Sequence, residues 1–240
     1  MGKNSQSLPT TSTDLDNNHA EGADRVKVWD VPTRCFHWAI VCLVPLSWIT
    51  AENGLVKWHF WSGSLLLTLL IFRLLWGVVG STTARFSRFV TRPRIAIGYL
   101  KSLMKGVEKL SYPGHNPAGG WMVVALITVL GLQVLTGLFA NDDVHFIAPL
   151  AVLISKELSD RMTELHAVLF DVIVLLVWVH VVAVGFYFFV KCENLINPMF
   201  NGHKDASDVP SGLNLHFTHP LVALLLWALS AAVVLWIVLP

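Results

Sequence analysis

Five apolar runs with almost no charge divide the chain, at 33–51, 57–79, 120–140, 163–190 and 219–239. Each is long enough to cross about 30 Å of hydrocarbon as a helix rising about 1.5 Å per residue. A lipid core offers the backbone no hydrogen-bond partner, so such runs predict helices that satisfy themselves. The expected fold class is all-α, an integral membrane helical bundle of five transmembrane helices. Pro32 suits the first turn of the first helix, where its missing N–H costs nothing. Pro45, inside that helix, predicts a kink whose freed carbonyl a neighbour must cover. The fifth run is almost purely Leu, Val, Ala and Trp and reads as a lipid-facing outer helix, leaving a four-helix core.

Between the second and third runs, Ala96, Leu100, Leu103, Met104, Val107 and Leu110 recur at helical spacing, while Lys101, Lys105 and Lys109 line another face. This predicts a basic amphipathic helix over 95–110, either lying on the inner leaflet with its lysines at anionic headgroups or presenting a docking surface. The first 25 residues are polar and lack the basic and apolar regions of a signal peptide, which predicts a disordered tail. The expected organisation is thus a tail at 1–25, a membrane domain at 26–204, and a linker with the C-terminal helix at 205–240.

Composition agrees with this reading. Apolar residues make up 54% of the 240 positions and charged ones 14%, against about a quarter charged in soluble domains. The distribution of charge sets orientation. Arg85, Arg88, Arg92, Arg94, Lys101, Lys105 and Lys109 follow the second run, and Arg25, Lys27 and Arg34 lead into the first. The loop before the fourth run holds Asp142, Asp143, Glu157 and Asp160 against Lys156 and Arg161. By the positive-inside rule the N-terminus is cytoplasmic and the C-terminus outside. No nucleic-acid partner is expected. Cys35, Cys42 and Cys192 have neither zinc nor iron–sulfur spacing and read as packing thiols. The absence of a C-x-x-C-H motif means that any haem is held non-covalently.

The chemistry lies in the histidines. His166 and His180 are fourteen residues apart in the fourth run, so one helix presents both on one face about 21 Å apart in depth. His37 and His59 open the first two runs. With the N-terminus inside, His59 matches His166 at the outer level and His37 matches His180 at the inner level. Two imidazoles at each of two depths suit two stacked, non-covalent b haems with bis-histidine iron. A single zinc or copper site would need all four to converge, which the separation of depths opposes. His19, His115, His145, His203, His216 and His219 have no matched partner and read as loop or interfacial residues.

Several neighbours bear on this site. Gly63, one turn from His59, either lets a porphyrin approach the backbone or packs against another helix. Arg73, on the same face at inner depth, pairs with a haem propionate or snorkels to headgroups. Arg34, one turn before His37, is a second propionate candidate. Gln133 and Thr136 bond either a haem edge or another helix.

The residues V-W-D-V-P-T-R-C-F-H-W at 28–38, H-F-W-S-G at 59–63, R-L-L-W-G-V-V-G at 73–80, G-H-N-P-A-G-G at 114–120, Q-V-L-T-G-L-F-A-N-D-D at 133–143 and the segment holding His166 and His180 resemble the bacterial cytochrome b561 and nickel-hydrogenase b-type subunit family. The resemblance spans about 26–204. It implies two b haems on His37, His59, His166 and His180, electron exchange between a membrane quinone and a redox partner, and location in the bacterial cytoplasmic membrane. The quinone site it implies lies beside the inner haem, with no residues assigned. The expected function is an electron-transfer subunit of a respiratory oxidoreductase, with a c-type cytochrome or a catalytic redox subunit as possible partner. The acidic outer loop either docks such a basic partner or is an ordinary solvated loop. Two alternatives are a stand-alone quinone-linked oxidoreductase acting on an outer small molecule such as superoxide, and a haem-free proton-coupled transporter.

Overall fold

Capping side chains decide where the membrane helices begin. The computed structural model of the protein describes residues 25–107, 111–143 and 146–239. A short strand β1 (Arg25–Lys27) leads to Asp30, whose carboxylate accepts the Thr33 N–H at 2.8 Å and opens α1 (Val31–Glu52) with Pro32 in its first turn. Gly54, at φ +66°, turns the chain back into α2 (Val56–Val79). The hairpin is close to symmetric about Asn53. Asp30 meets Trp76 and Ser47 meets His59, each pair equidistant from that residue. Asp30 is buried, and its second oxygen accepts the indole N–H of the fully buried Trp76 at 3.1 Å. One carboxylate thereby caps α1 and ties its start to the far end of α2.

Beyond α2 come a short helix α3 (Phe86–Phe89) and the amphipathic helix α4 (Pro93–Met104). The helix expected over 95–110 ends earlier, because Gly106 takes φ +69° and its N–H closes on Leu103. Lys109 and Leu110 lie outside the described residues. Ala96 and Tyr99 are buried, while Ile97, Leu100 and Met104 are exposed beside Lys101, as an interfacial helix requires.

Asn116 caps α5 (Pro117–Gly137), and Ser155 caps α6 (Lys156–Phe189). α6 starts seven residues before the expected 163, since the Lys156–Asp160 and Arg161–Glu157 pairs support a polar first turn. At roughly 50 Å, α6 outreaches the hydrocarbon core. α7 (Ile196–Asn201), β2 (His203–Asp205) and α8 (Pro220–Val238) complete the chain.

The five long helices are apolar enough to span a membrane, and they form the expected bundle. Leu66 and Leu70 of α2, Leu130 and Val134 of α5, and Ile173 of α6 make the central core, flanked by Ile40 and Val44 of α1. α8 packs on α2 through Ala223 at one end, and its Val234 and Val238 pack with Leu138 at the other, while Leu224, Leu225 and Trp236 stay exposed. α1 runs on through Pro45 as one helix. Cys35, Cys42 and Cys192 are exposed, not packed inside as expected.

β1 pairs antiparallel with β2, Val26 opposite Lys204, a contact too short to leave a sequence pattern. The Val28 and Trp29 N–H groups donate to Gly202 O at 2.8 and 3.1 Å. Gly202 has φ +86°, and a Cβ there would lie 2.9 Å from Trp29 O, so this position needs glycine twice over. The stretch at 25–30, the basic segment after α2 and the segment after α6 meet at one end of the bundle, Thr83 Oγ1 donating to Val28 O and Lys204 Nζ to Tyr112 O, as alternating spans demand. The tail over 1–24 lies outside the described residues.

Asp30→Ala removes a helix cap and strands a buried indole N–H. It should cost about 2–4 kcal/mol, read as a lower Tm of the detergent-solubilised protein, with Asp30→Asn falling less. Equal melting of Asp30→Ala and wild type would mean that the α1–α2 tie is not structural.

Candidate functional site

A carbonyl oxygen can only accept, so its partner nitrogen must carry the proton. At the acidic end of the bundle His59 Nδ1 lies 2.8 Å from Ser47 O on α1, and His166 Nδ1 lies 2.8 Å from Gln133 O on α5. Both rings are therefore held as Nδ1–H tautomers, each leaving Nε2 as the lone-pair nitrogen. A hydroxyl stands near each Nδ1, Ser47 Oγ at 3.4 Å and Thr136 Oγ1 at 3.3 Å. The two rings face across the bundle with centres 6.0 Å apart and planes at 86°. Two imidazoles binding one metal from opposite sides at about 2 Å would hold their centres roughly 6 Å apart.

Backbone and loop set this geometry. Asn141 Nδ2 donates to Ser159 Oγ at 2.6 Å and Asp160 Oδ1 at 3.0 Å, and Thr163 Oγ1 accepts the Asn141 N–H at 3.1 Å. These bonds fasten the start of α6 to the end of α5 and fix the register that sets His166 against Gln133. Gly137 permits the approach: a Cβ there would come within 2.9 Å of His166 Cε1. A Cβ on Gly63, by contrast, would meet nothing within 4 Å. Close helix packing therefore does not explain Gly63. Gln133 and Thr136 bond another helix, through His166, while Gln133 Oε1 is buried with no partner.

At the basic end, His37 of α1 and His180 of α6 lie within electrostatic reach of each other, and His37 Nδ1 is buried without a partner. Arg73 is 2% exposed, so it does not snorkel. Its Nη2 donates to Ala84 O at 3.1 Å and its guanidinium lies 4.7 Å over the Phe86 ring. Its Nη1 is buried with no partner, and among the described residues it makes no salt bridge. Arg34 keeps its Nε buried without a partner. Its Nη1 donates to Phe200 O, and Trp38 stacks on Phe200 at 4.3 Å, so these two residues hold α7 beside His37.

His115, expected to be an ordinary loop residue, folds back into this end. Its ring sits between Trp29 and Phe89, with centres 4.8 and 4.6 Å away. Burial, then the nearby charges of Arg73, His180, His37 and Lys204, push it down to about 3, so it is neutral at physiological pH. Only the G-H-N-P run hinted at this: Asn116 caps α5 and donates to Tyr187 Oη at 2.9 Å, pinning the residue before it. His203 bonds Asn201, and His219 caps α8. His19 and His145 lie outside the described residues.

The family model for prokaryotic cytochrome b561 matches residues 28–202, from the segment that pairs with Gly202 to Gly202 itself. The chain belongs to the prokaryotic cytochrome b561 family. No curated protein matches the chain. It is thus a multi-pass membrane cytochrome of the b type, working in electron transfer. The residues of this b561-family cytochrome fit such a group. Two imidazoles have their Nδ1 atoms anchored on carbonyls at metal-bridging separation, the backbone beside Gly63 is clear, and a buried guanidinium faces no acid among the described residues at bonding distance.

Gly137→Ala should displace the His166 ring and lower the haem bound per chain in this cytochrome. Gly98→Ala, on the exposed side of α4 with open space around the added methyl, should leave it unchanged. Equal haem content in both would show that the Gly137 contact places no demand on the site.

Proposed function

We propose that the chain is a dihaem electron-transfer cytochrome of the bacterial cytoplasmic membrane, linking the quinone pool to a redox partner. The observation that supports this most is the pair of carbonyl-anchored imidazoles, His59 and His166, with His180 about 21 Å away in depth on the same helix as His166 and within electrostatic reach of His37 on α1. His59 and His166 would hold the outer haem, and His37 and His180 the inner. Arg73 would neutralise an inner-haem propionate, offsetting the desolvation of both charges. Held by two imidazoles each, the haems would supply one-electron relay and not oxygen or substrate activation.

The chain's own residues set direction and partners. The basic end, with Arg85, Arg88, Arg92, Arg94 and Lys101, faces the cytoplasm by the positive-inside rule. The quinone site lies beside the inner haem at that level. The opposite end carries Asp142, Asp143, Glu157, Asp160 and Glu164, of which Lys156 and Arg161 neutralise only part. Such a face favours a basic partner, a c-type cytochrome or a redox subunit, over an anion such as superoxide. Membership in a haem-binding family removes the haem-free transporter reading.

In proteoliposomes a quinol analogue should reduce both haems and pass electrons to an outer acceptor. His166→Ala should keep one haem that the quinol still reduces, yet lose transfer outward. His180→Ala should keep one haem that the quinol no longer reduces. Two haems retained in either variant would contradict the pairing.

A further inference from the structure

Four side-chain nitrogens are buried at the basic end with nothing to bond, Arg34 Nε and His37 Nδ1 of α1 and two from more distant parts of the chain. Arg73 Nη1 comes from α2 and His115 Nδ1 from the loop ahead of α5. Arg73 is 2% exposed, and a buried cation without an anion is a large cost in a membrane protein. Asp30 attracts Arg73, but its two oxygens accept the Thr33 N–H and the Trp76 indole. The other buried cation here, Lys204, is satisfied by Glu193 at 2.8 Å and Tyr112 O at 3.1 Å. Arg73 is thus a deeply buried cation with no acid among the described residues at ion-pair distance.

The surroundings hold both donors still. Phe86 carries the guanidinium on its face, and Gly77 lets the Phe86 ring lie against α2, where a Cβ would come within 2.0 Å of it. Trp29 and Phe89 fix the His115 ring. Gly114 lets the loop approach Trp29 and Thr83, where a Cβ would stand 3.3 Å from the indole. His115 lies close enough to His37 and His180 to feel their charge. Preorganised N–H donors beside a cation, in a dry site, are the features that bind a carboxylate.

We infer that His115 and Arg73 together bind one carboxylate, an inner-haem propionate, with His115 as a neutral N–H donor and Arg73 as the charge. This rests on the reading that an inner haem sits on His37 and His180. His115 is then a cofactor-positioning residue, which gives the buried G-H-N-P histidine a role that spacing along a span could not disclose.

Resonance Raman of the holoprotein, together with uptake of haem or its dimethyl ester by the apoprotein, tests this. His115→Phe keeps a ring between Trp29 and Phe89 but has no donor. It should shift the propionate bending band of one haem and reduce the preference for free-acid haem over the ester about tenfold, the worth of one hydrogen bond to a charged group. Arg73→Gln should move the same band. His115→Asn, which places an amide nitrogen near the Nδ1 position, should restore the wild-type band. An unchanged band and unchanged preference in a two-haem His115→Phe protein would overturn the assignment alone. If His115→Phe takes up no inner haem and His115→Asn does, the donor is required, as inferred. Loss in both variants overturns a hydrogen-bonding role. A wild-type chain lacking the inner haem would overturn the functional reading and this inference together.

Discussion

Two backbone carbonyls, Ser47 O and Gln133 O, each at 2.8 Å from an imidazole Nδ1, hold His59 and His166 in one tautomer. In hydrocarbon no water can replace these bonds, so each ring is oriented by a helix that is not its own. The demand propagates outward. α1 must lie against α2 in a register symmetric about Asn53, and α5 must lie against α6 so that Gln133 meets His166. Gly54 sets the first register, and the Asn141, Ser159 and Thr163 hydrogen bonds set the second. Gly137 then lets the His166 ring come close. A shift of one residue in either hairpin would turn an imidazole off its carbonyl.

The two ends of the bundle solve different electrostatic problems. The acidic end is a solvated surface whose charges pair within one helix or across one loop, and such pairs contribute little individually. The basic end is tied together by contacts between distant segments. Asp30 joins α1 to α2, β1 joins the stretch before α1 to the segment after α6, and Arg34 and Trp38 hold α7. There Arg73 and His115 are kept from water. Rigid, low-dielectric surroundings of this kind limit reorganisation on electron transfer.

Much of the fold was legible because lipid leaves few alternatives, and the five runs became five helices. Matching histidines by depth also anticipated that the His59 and His166 rings would be neighbours, since a span's direction fixes depth. The failures have local causes. α6 begins early because Ser155 and two i,i+4 ion pairs extend a helix beyond the apolar run. α4 stops early because Gly106 takes a left-handed conformation. β1 and β2 are three residues each, too short for a period. His115 was passed over because depth matching is blind to a loop that folds back into the bundle. Ser47 was within reach: a polar residue as far before the α1–α2 turn as His59 lies after it is its natural partner.

Haem content and redox behaviour of the wild-type chain bear most directly on the two-level histidine arrangement. A redox-titrated visible spectrum of the purified protein, with haem counted against polypeptide, should give two b haems per chain, both low-spin and titrating as two components. One haem per chain, or a high-spin iron with an open axial position, would contradict the account.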